Sequence, residues 1–377
     1  MAGFQMSMIA QGYWIYQETR SAKILVLVST ATAIPVLVFA LLGGAIADRV
    51  ERKRLLQICQ IAMTALALYV GVSLTLGFMK WYHFLGIALA QGLIWCFNGP
   101  ARQAIIPQIV GTQRSGNAIA LISSGMSFAS LFAPGIAGLI YASLDAKGVY
   151  YMVTLLGCVT VATTTFLRIP GNTTLKPVTN VGDDMLEGVK YLWSNKSVRA
   201  LLTTCLVFIL FSSPLQFLLP MLVVDVYHRE SGSLGLLVSM TGVGALVGTL
   251  VIASLGDKGR GKILLITGFI SGLGLLMVAL IPYYQIAVLL MIVVGMGNAG
   301  MWSLGQVLVM SRIENVYRGR VMSIYMLNFG LMPLILIPSG IFADLWGVEK
   351  VVGTCGAILI LCAILSSLTQ LELRKMQ

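Results

Sequence analysis

Charge is what this chain of 377 residues has least of: Asp, Glu, Lys and Arg together make up 10% of it, against roughly a quarter in a soluble globular chain. All fourteen acidic residues fall at the ends of long apolar runs or between them. No carboxylate lies in the middle of a run, which lowers the case for an antiporter built on a buried acid. Glu18, Asp225 and Asp344, near run ends, remain as candidates for ion coupling. Histidine is nearly absent too. His83 and His228 have no nucleophile or metal-ligand spacing around them, and no Gly-Lys phosphate loop occurs. An enzyme, a metal centre and an ATPase are therefore not indicated, and no cofactor is implied. The six cysteines lie inside apolar runs without a CxxC pair, where small core residues are the expected role. No basic segment precedes the first run, so no cleavable signal peptide is expected.

What is present is apolar length, with 58% of the residues hydrophobic. Runs free of Asp, Glu, Lys and Arg cover 2–17, 24–47, 55–79, 81–101, 115–144, 148–167, 200–224, 231–256, 263–311, 321–343 and 351–371. Nearly all reach the roughly 20 residues that carry a helix across a bilayer. The run 263–311 is too long for one helix and holds the Pro and aromatic turn "IPYYQ", so it divides in two. The expectation is an all-α membrane protein with eleven long spans and one short one at the start.

If successive connections alternate sides, 19 of the 25 Lys and Arg fall on one side and six on the other. By the positive-inside rule the richer side is cytoplasmic, together with both termini, in the plasma or inner membrane. The net charge of +11 then needs only anionic lipid as a partner, not nucleic acid. Tyr13, Trp14 and Tyr16, the pairs Trp81–Tyr82, Tyr150–Tyr151 and Tyr283–Tyr284, and Trp346 all fall at expected outer ends, as an interfacial belt would. Trp95 and Trp302 lie instead well inside spans four and ten.

Halfway along, "DDMLEGVKYLW" (183–193) puts Met185, Leu186, Val189, Leu192 and Trp193 on one helical face, an amphipathic connector for the membrane surface. It divides the chain into an N-terminal six-helix half (1–168), the connector (169–199) and a C-terminal half (200–377). The halves echo each other. "SLGDKGRGKILL" follows span eight as "AIADRVERKRLL" follows span two, placing Asp257 209 residues after Asp48, and Pro134 and Pro338 lie 204 residues apart. Two such similar offsets argue for a duplicated bundle.

The stretch Gly44, Ile46, Ala47, Asp48, Arg49, Arg52, Lys53 resembles the signature G-x-L-A-D-R-x-G-R-[KR] of the major facilitator superfamily, with Glu51 in place of its Gly. "NGPARQAIIPQIV" (98–110) and "YRGRVMSIYMLNFG" (317–330) resemble its drug and siderophore exporter branch, which includes enterobactin exporters. The resemblance covers essentially the whole chain and implies two pseudo-symmetric six-helix halves around a central cavity. Two departures stand out. Against the family's first helix, a dozen or more residues are missing from "GFQMSMIAQGYWIYQETRSA", whose 16-residue run spans only about 24 Å. A fragment, a misplaced start and a short helix are all open. The Arg that the family often carries within span four is absent, which puts proton coupling through it in doubt.

The resemblance assigns Gly44 to close packing against span eleven, and Asp48 to the N-terminus of that span near Gly319–Met322. Arg49, Arg52, Asp257, Lys258 and Arg320 would complete a gating network. Such a latch of about 0.3–2 kcal/mol can bias a gate and still release on each cycle. Arg52, Lys53 and Arg54 also read simply as a topology signal. "APGIAG" resembles the exporters' G-P-x-x-G-G element, with Ala133, Pro134 and Gly138 either limiting leak or packing helices. By resemblance, spans one, four, seven and ten line the cavity. They carry Gln11, Gln91, Trp95, Asn98, Gln216, Asn298, Trp302 and Gln306, as ligand contacts or as hydrogen-bonding glue between helices. An uncharged cavity with flat walls suits a large amphiphilic molecule. The expected function is proton-driven export of drugs or siderophore-like metabolites by a monomer. The alternative is a non-transporting receptor or regulator of the same fold, or a truncated product.

Overall fold

The computed structural model describes residues 1–39, 51–111, 115–167, 195–255, 259–312 and 330–369, and among them there is no strand. The helices are α1 (Ala2–Thr19), α2 (Ala22–Ala31), α3 (Arg52–Thr75), α4 (Trp81–Val110), α5 (Ser115–Phe166), α6 (Lys196–Met221), α7 (Ser231–Ser254), α8 (Arg260–Leu280), α9 (Tyr284–Arg312), α10 (Pro333–Trp346) and α11 (Val348–Thr369). α5 is two helices in one, because Asp145 at φ 57°, ψ −172° interrupts it. A charge between two apolar runs belongs where the chain turns. With α5 counted twice the described residues hold the twelve spans in order.

Composition sets the helix ends. α8 stops at Leu280 and α9 begins at Tyr284, so "IPYYQ" does divide the longest run. Eight helical stretches among the described residues are long and apolar enough to cross a membrane, and α10 is a shorter apolar helix. α1 and α4 fall outside those eight; both carry several Gln or Asn side chains. Many large apolar side chains are exposed, among them Leu121, Leu139, Leu250, Leu289 and Leu345. On a chain of this kind those faces meet lipid.

Contacts divide the chain into two compact units. Unit one holds Met1–Arg20, Leu27–Thr179 and Glu230–Gly235; unit two holds Ser21–Val26, Asn180–Arg229 and Leu236–Gln377. In unit one α1 packs on α5, and α3 on α4 and α5. Trp14, Phe84 and Tyr150 form a ring chain with centroids 5.4 and 6.3 Å apart, and Leu55, Leu56 and Cys59 of α3 pack on Ala101 and Ile105 of α4. In unit two α8 packs on α9 and α11, and α6 on both. A Cβ at Gly356 of α11 would lie 2.7 Å from the Gly272 carbonyl of α8, so this crossing depends on glycine. The connector expected at 169–199 lies almost wholly outside the described residues, which resume at Asn195.

All six cysteines are free thiols. Cys59, Cys96, Cys205 and Cys355 are buried and Cys362 is half-buried, as small core residues would be, but Cys158 is exposed on α5.

Candidate functional site

Most of the expected gate lies beyond description: Gly44, Asp48, Arg49, Asp257, Lys258 and Arg320 are outside the described residues. Arg52 opens α3. Of its neighbours in the basic stretch, Lys53 does more than mark topology. Its Nζ donates to the Thr165 carbonyl at 3.0 Å, and Gln57 Nε2 donates to Thr165 Oγ1 at 3.2 Å. Thr165 lies in the last turn of the second half of α5, so Lys53 places a cation on the negative end of a helix dipole. Arg54 pairs with Glu51 at 2.7 Å, a solvent-exposed i,i+3 bridge of little energetic weight.

The Pro134 element is a contact between α5 and the first turn of α7, inside unit one. A Cβ at Gly138 would lie 3.0 Å from the Ser231 carbonyl and 3.1 Å from the Gly235 Cα. A Cβ at Gly235 would lie 2.6 Å from the Pro134 carbonyl. Two glycines thus bring two backbones together with no side chain between them. Ala133 and Ala137 beside them are buried.

The amide and aromatic residues fall on helical faces. Gln91, Trp95 and Asn98 lie along one face of α4, all half-buried. The Trp95 ring meets Phe4 of α1 edge-on with centroids 5.5 Å apart. Gln11 is half-buried on the same α1. On α9 Asn298, Trp302 and Gln306 follow at four-residue intervals, half-buried, half-buried and exposed. Asn298 Oδ1 accepts from Ser271 Oγ of α8 at 3.0 Å, so this amide joins helices. Gln216 is exposed on α6, the span with the largest buried share.

The three coupling candidates occupy different settings. Glu18 lies 3.9 Å from Lys80, with both side chains about half exposed. Asp225 is exposed on a π-helical turn, Leu222–Val226, that continues α6. Pro214 and Pro220 inside α6 lack the N–H groups of a regular ladder, and a π turn is how a helix absorbs such a mismatch. Asp344, near the end of α10, accepts three hydrogen bonds at the start of α2, within unit two. Ala22 N–H donates to Oδ1 at 2.6 Å, and Ser21 Oγ and Lys23 N–H donate to Oδ2 at 2.7 and 3.0 Å.

Sequence reasoning missed Gly235 as the partner of Gly138, and Ser21 as the N-cap of α2. "SGSLG" (231–235) and "RSAKI" (20–24) held the signals: a small-residue rhythm at a helix start, and a Ser before an apolar run.

Comparison with known proteins settles the family. The sequence model of the transmembrane secretion effectors, MFS_3, matches residues 2–377. The chain belongs to that family of the major facilitator superfamily. It is 24% identical over 379 residues to macrolide efflux protein A of Streptococcus pyogenes, covering 99% of this chain and 92% of that one. It is 24% identical over 375 residues to the staphyloferrin A transporter of Staphylococcus aureus, covering 94% and 89%. Among solved structures, a D-xylose-proton symporter superposes with a TM-score of 0.76 at 14% identity, covering 96% of this chain and 93% of that one. The fold is that of a major facilitator transporter. This is a multi-pass secondary transporter, and its family and neighbours are transporters, not enzymes.

Proposed function

We propose that the chain exports amphiphilic, aromatic-containing small molecules from the cell, driven by the proton gradient. The observation that carries the substrate class is the face of α4 bearing Gln91, Trp95 and Asn98, with Trp95 edge-on to Phe4. Flat apolar walls and uncharged amides bind a large amphiphile without selecting either charge. The names of the two relatives, a macrolide exporter and a staphyloferrin transporter, support the same direction. Gln11 of α1 adds a further amide in the same unit; in the other unit Gln216, Trp302 and Gln306 are the groups that would contact substrate, while Asn298 chiefly ties α9 to α8.

The protein works as a monomer in the plasma membrane, with both termini and the 43–56 stretch in the cytoplasm. Asp48, with Gly44, Arg49, Arg52 and Arg320, closes the cytoplasmic side, with Asp257 and Lys258 as their echo in the second half. Ala133, Pro134 and Gly138 limit leak through their contact with α7. Glu18, Asp225 and Asp344 are the acidic groups placed to exchange protons with the outside.

The test is expression in an efflux-deficient host with accumulation of ethidium, a macrolide and a catecholate siderophore measured with and without an uncoupler. Lower accumulation of at least one, abolished by the uncoupler, is expected. Accumulation equal to empty vector for all three defeats the export reading, and export insensitive to the uncoupler defeats proton coupling. Asp48→Asn should change the labelling rate of cytoplasm-facing engineered cysteines; no change removes Asp48 from the gate.

A further inference from the structure

The first turns of α2 and α7 are counterparts in the two halves: Ser21 opens one and Ser231 the other, 210 residues apart. Each packs against a proline-bearing helix at a glycine. Gly138, after Pro134, meets the start of α7. Gly340, after Pro338, meets the start of α2, where an added Cβ would lie 2.9 Å from the Ala22 carbonyl and 3.1 Å from the Val26 Cβ. One feature breaks this equivalence. Asp344 stands one turn beyond Gly340 and takes three hydrogen bonds from Ser21, Ala22 and Lys23. Counted from the prolines its place on α5 is Ile140, and counted from the glycines that make the two crossings it is Ala142, neither of them acidic.

The carboxylate on the proline-bearing helix is therefore not a requirement of the packing, since the counterpart crossing forms with none at the matching positions of α5. Ser21 is itself the N-cap, its Oγ accepting from Ile24 N–H at 3.4 Å while its hydroxyl donates to Asp344. Asp344 thus adds a full negative charge and two acceptors to a helix N-terminus whose cap is already present.

We propose that Asp344 is a positioning residue of the transport cycle, a releasable latch that holds the first turn of α2 on α10 and is broken when the outer side opens. The assignment to the outer side rests on the orientation given under Proposed function. An exposed carboxylate at a helix N-terminus shifts a two-state population about two- to fivefold, enough to bias a gate without locking it.

The first test needs no substrate. In a background with all six native cysteines replaced, Val26→Cys puts a slightly smaller residue at a buried position facing Gly340. Its labelling in whole cells by a membrane-impermeant maleimide should be slow with Asp344 and about two- to fivefold faster with Asp344→Ala or Asp344→Asn. Asp344→Glu should return it towards the slow rate. Equal labelling in all of these, in protein that elutes normally on gel filtration, overturns the latch.

The second test is a lock. Ser21→Cys with Asp344→Cys, oxidised, should stop ethidium efflux, and dithiothreitol should restore it. Undiminished efflux by the cross-linked protein overturns the proposal, because a merely structural cap would tolerate permanent closure. The parent protein, which keeps Asp344, reports separately on ethidium export. Efflux by the parent but not by the reduced double variant assigns Asp344 to coupling and overturns the latch as its role. No efflux by either defeats the export reading for that probe, while the labelling result still decides the latch.

Discussion

Gly235→Ala is the substitution whose cost the structure prescribes most directly. The added Cβ would lie 2.6 Å from the Pro134 carbonyl oxygen, 3.0 Å from the Gly138 Cα and 3.2 Å from the Gly138 nitrogen. A carbon and a carbonyl oxygen in comfortable contact are about 3.3–3.6 Å apart, so α5 and α7 must part by about 0.7 Å or more. All three atoms are backbone, and no side chain can turn aside to make room. Overpacking of this kind costs about 1–3 kcal/mol. The better helix propensity of Ala returns less than about 1 kcal/mol so near a helix start. Gly232→Ala, one turn earlier on the same helix, is the control, because a Cβ there meets nothing within 4 Å. The assay is apparent melting of purified protein, read as the loss of the monodisperse gel-filtration peak after stepped heating. Gly232→Ala should match or slightly exceed the parent, and Gly235→Ala should melt about 2–5 °C lower. If Gly235→Ala melts at or above Gly232→Ala, the close α5–α7 approach is wrong, and so is any role for Gly138 in sealing it.

Other outcomes follow from the same geometry. Trp95→Ala removes an edge-to-face contact worth about 0.5–1.5 kcal/mol together with a wall of the proposed binding face. It should raise the half-saturating concentration for ethidium export more than it lowers the maximal rate, and the reverse pattern would assign Trp95 to packing. Asn298→Ala should lower melting, having lost a hydrogen bond worth about 0.6 kcal/mol within a membrane. Gln306→Ala should leave melting unchanged and alter transport; a melting loss for Gln306→Ala would make it glue as well. Lys53→Met removes a cation from the C-terminal end of α5 and should destabilise by about 0.3–1 kcal/mol. Arg54→Met loses only an exposed bridge and should fall below that. Equal melting losses would show that Lys53 does not cap Thr165.

The sequence revealed the architecture well because span length and helix ends are local properties. Asp145 marked the break within α5 because a charge between two apolar runs has nowhere to go but the membrane surface. "IPYYQ" marked the α8–α9 turn because proline and interfacial aromatics share that boundary. The individual roles within the site were harder to see, because they depend on which faces meet. Asn298 and Gln306 are both amides on one face of α9, yet one reaches Ser271 and the other is exposed. Nothing in their spacing separates a helix tie from a ligand contact; the neighbouring helix does. Lys53 was legible as a positive charge on a short connection, but not as the cap of Thr165, since that contact joins residues 112 positions apart.

Asp344 depends in the same way on the helix that it meets. Read along the chain it is an acid at a span end, indistinguishable in kind from Glu18 and Asp225, and all three qualify equally as places for a proton. Their surroundings separate them. Glu18 pairs with a half-exposed lysine at 3.9 Å, Asp225 rides on a π turn, and Asp344 is held by three donors of one helix start. A carboxylate held in this way changes its bonding whenever α2 moves, whether or not it carries a proton. Asp344→Asn separates the two roles. An amide keeps one acceptor oxygen but cannot carry a proton for exchange, so a latch predicts faster outer labelling with uncoupler-sensitive efflux retained. Loss of efflux with labelling unchanged would return Asp344 to the coupling site.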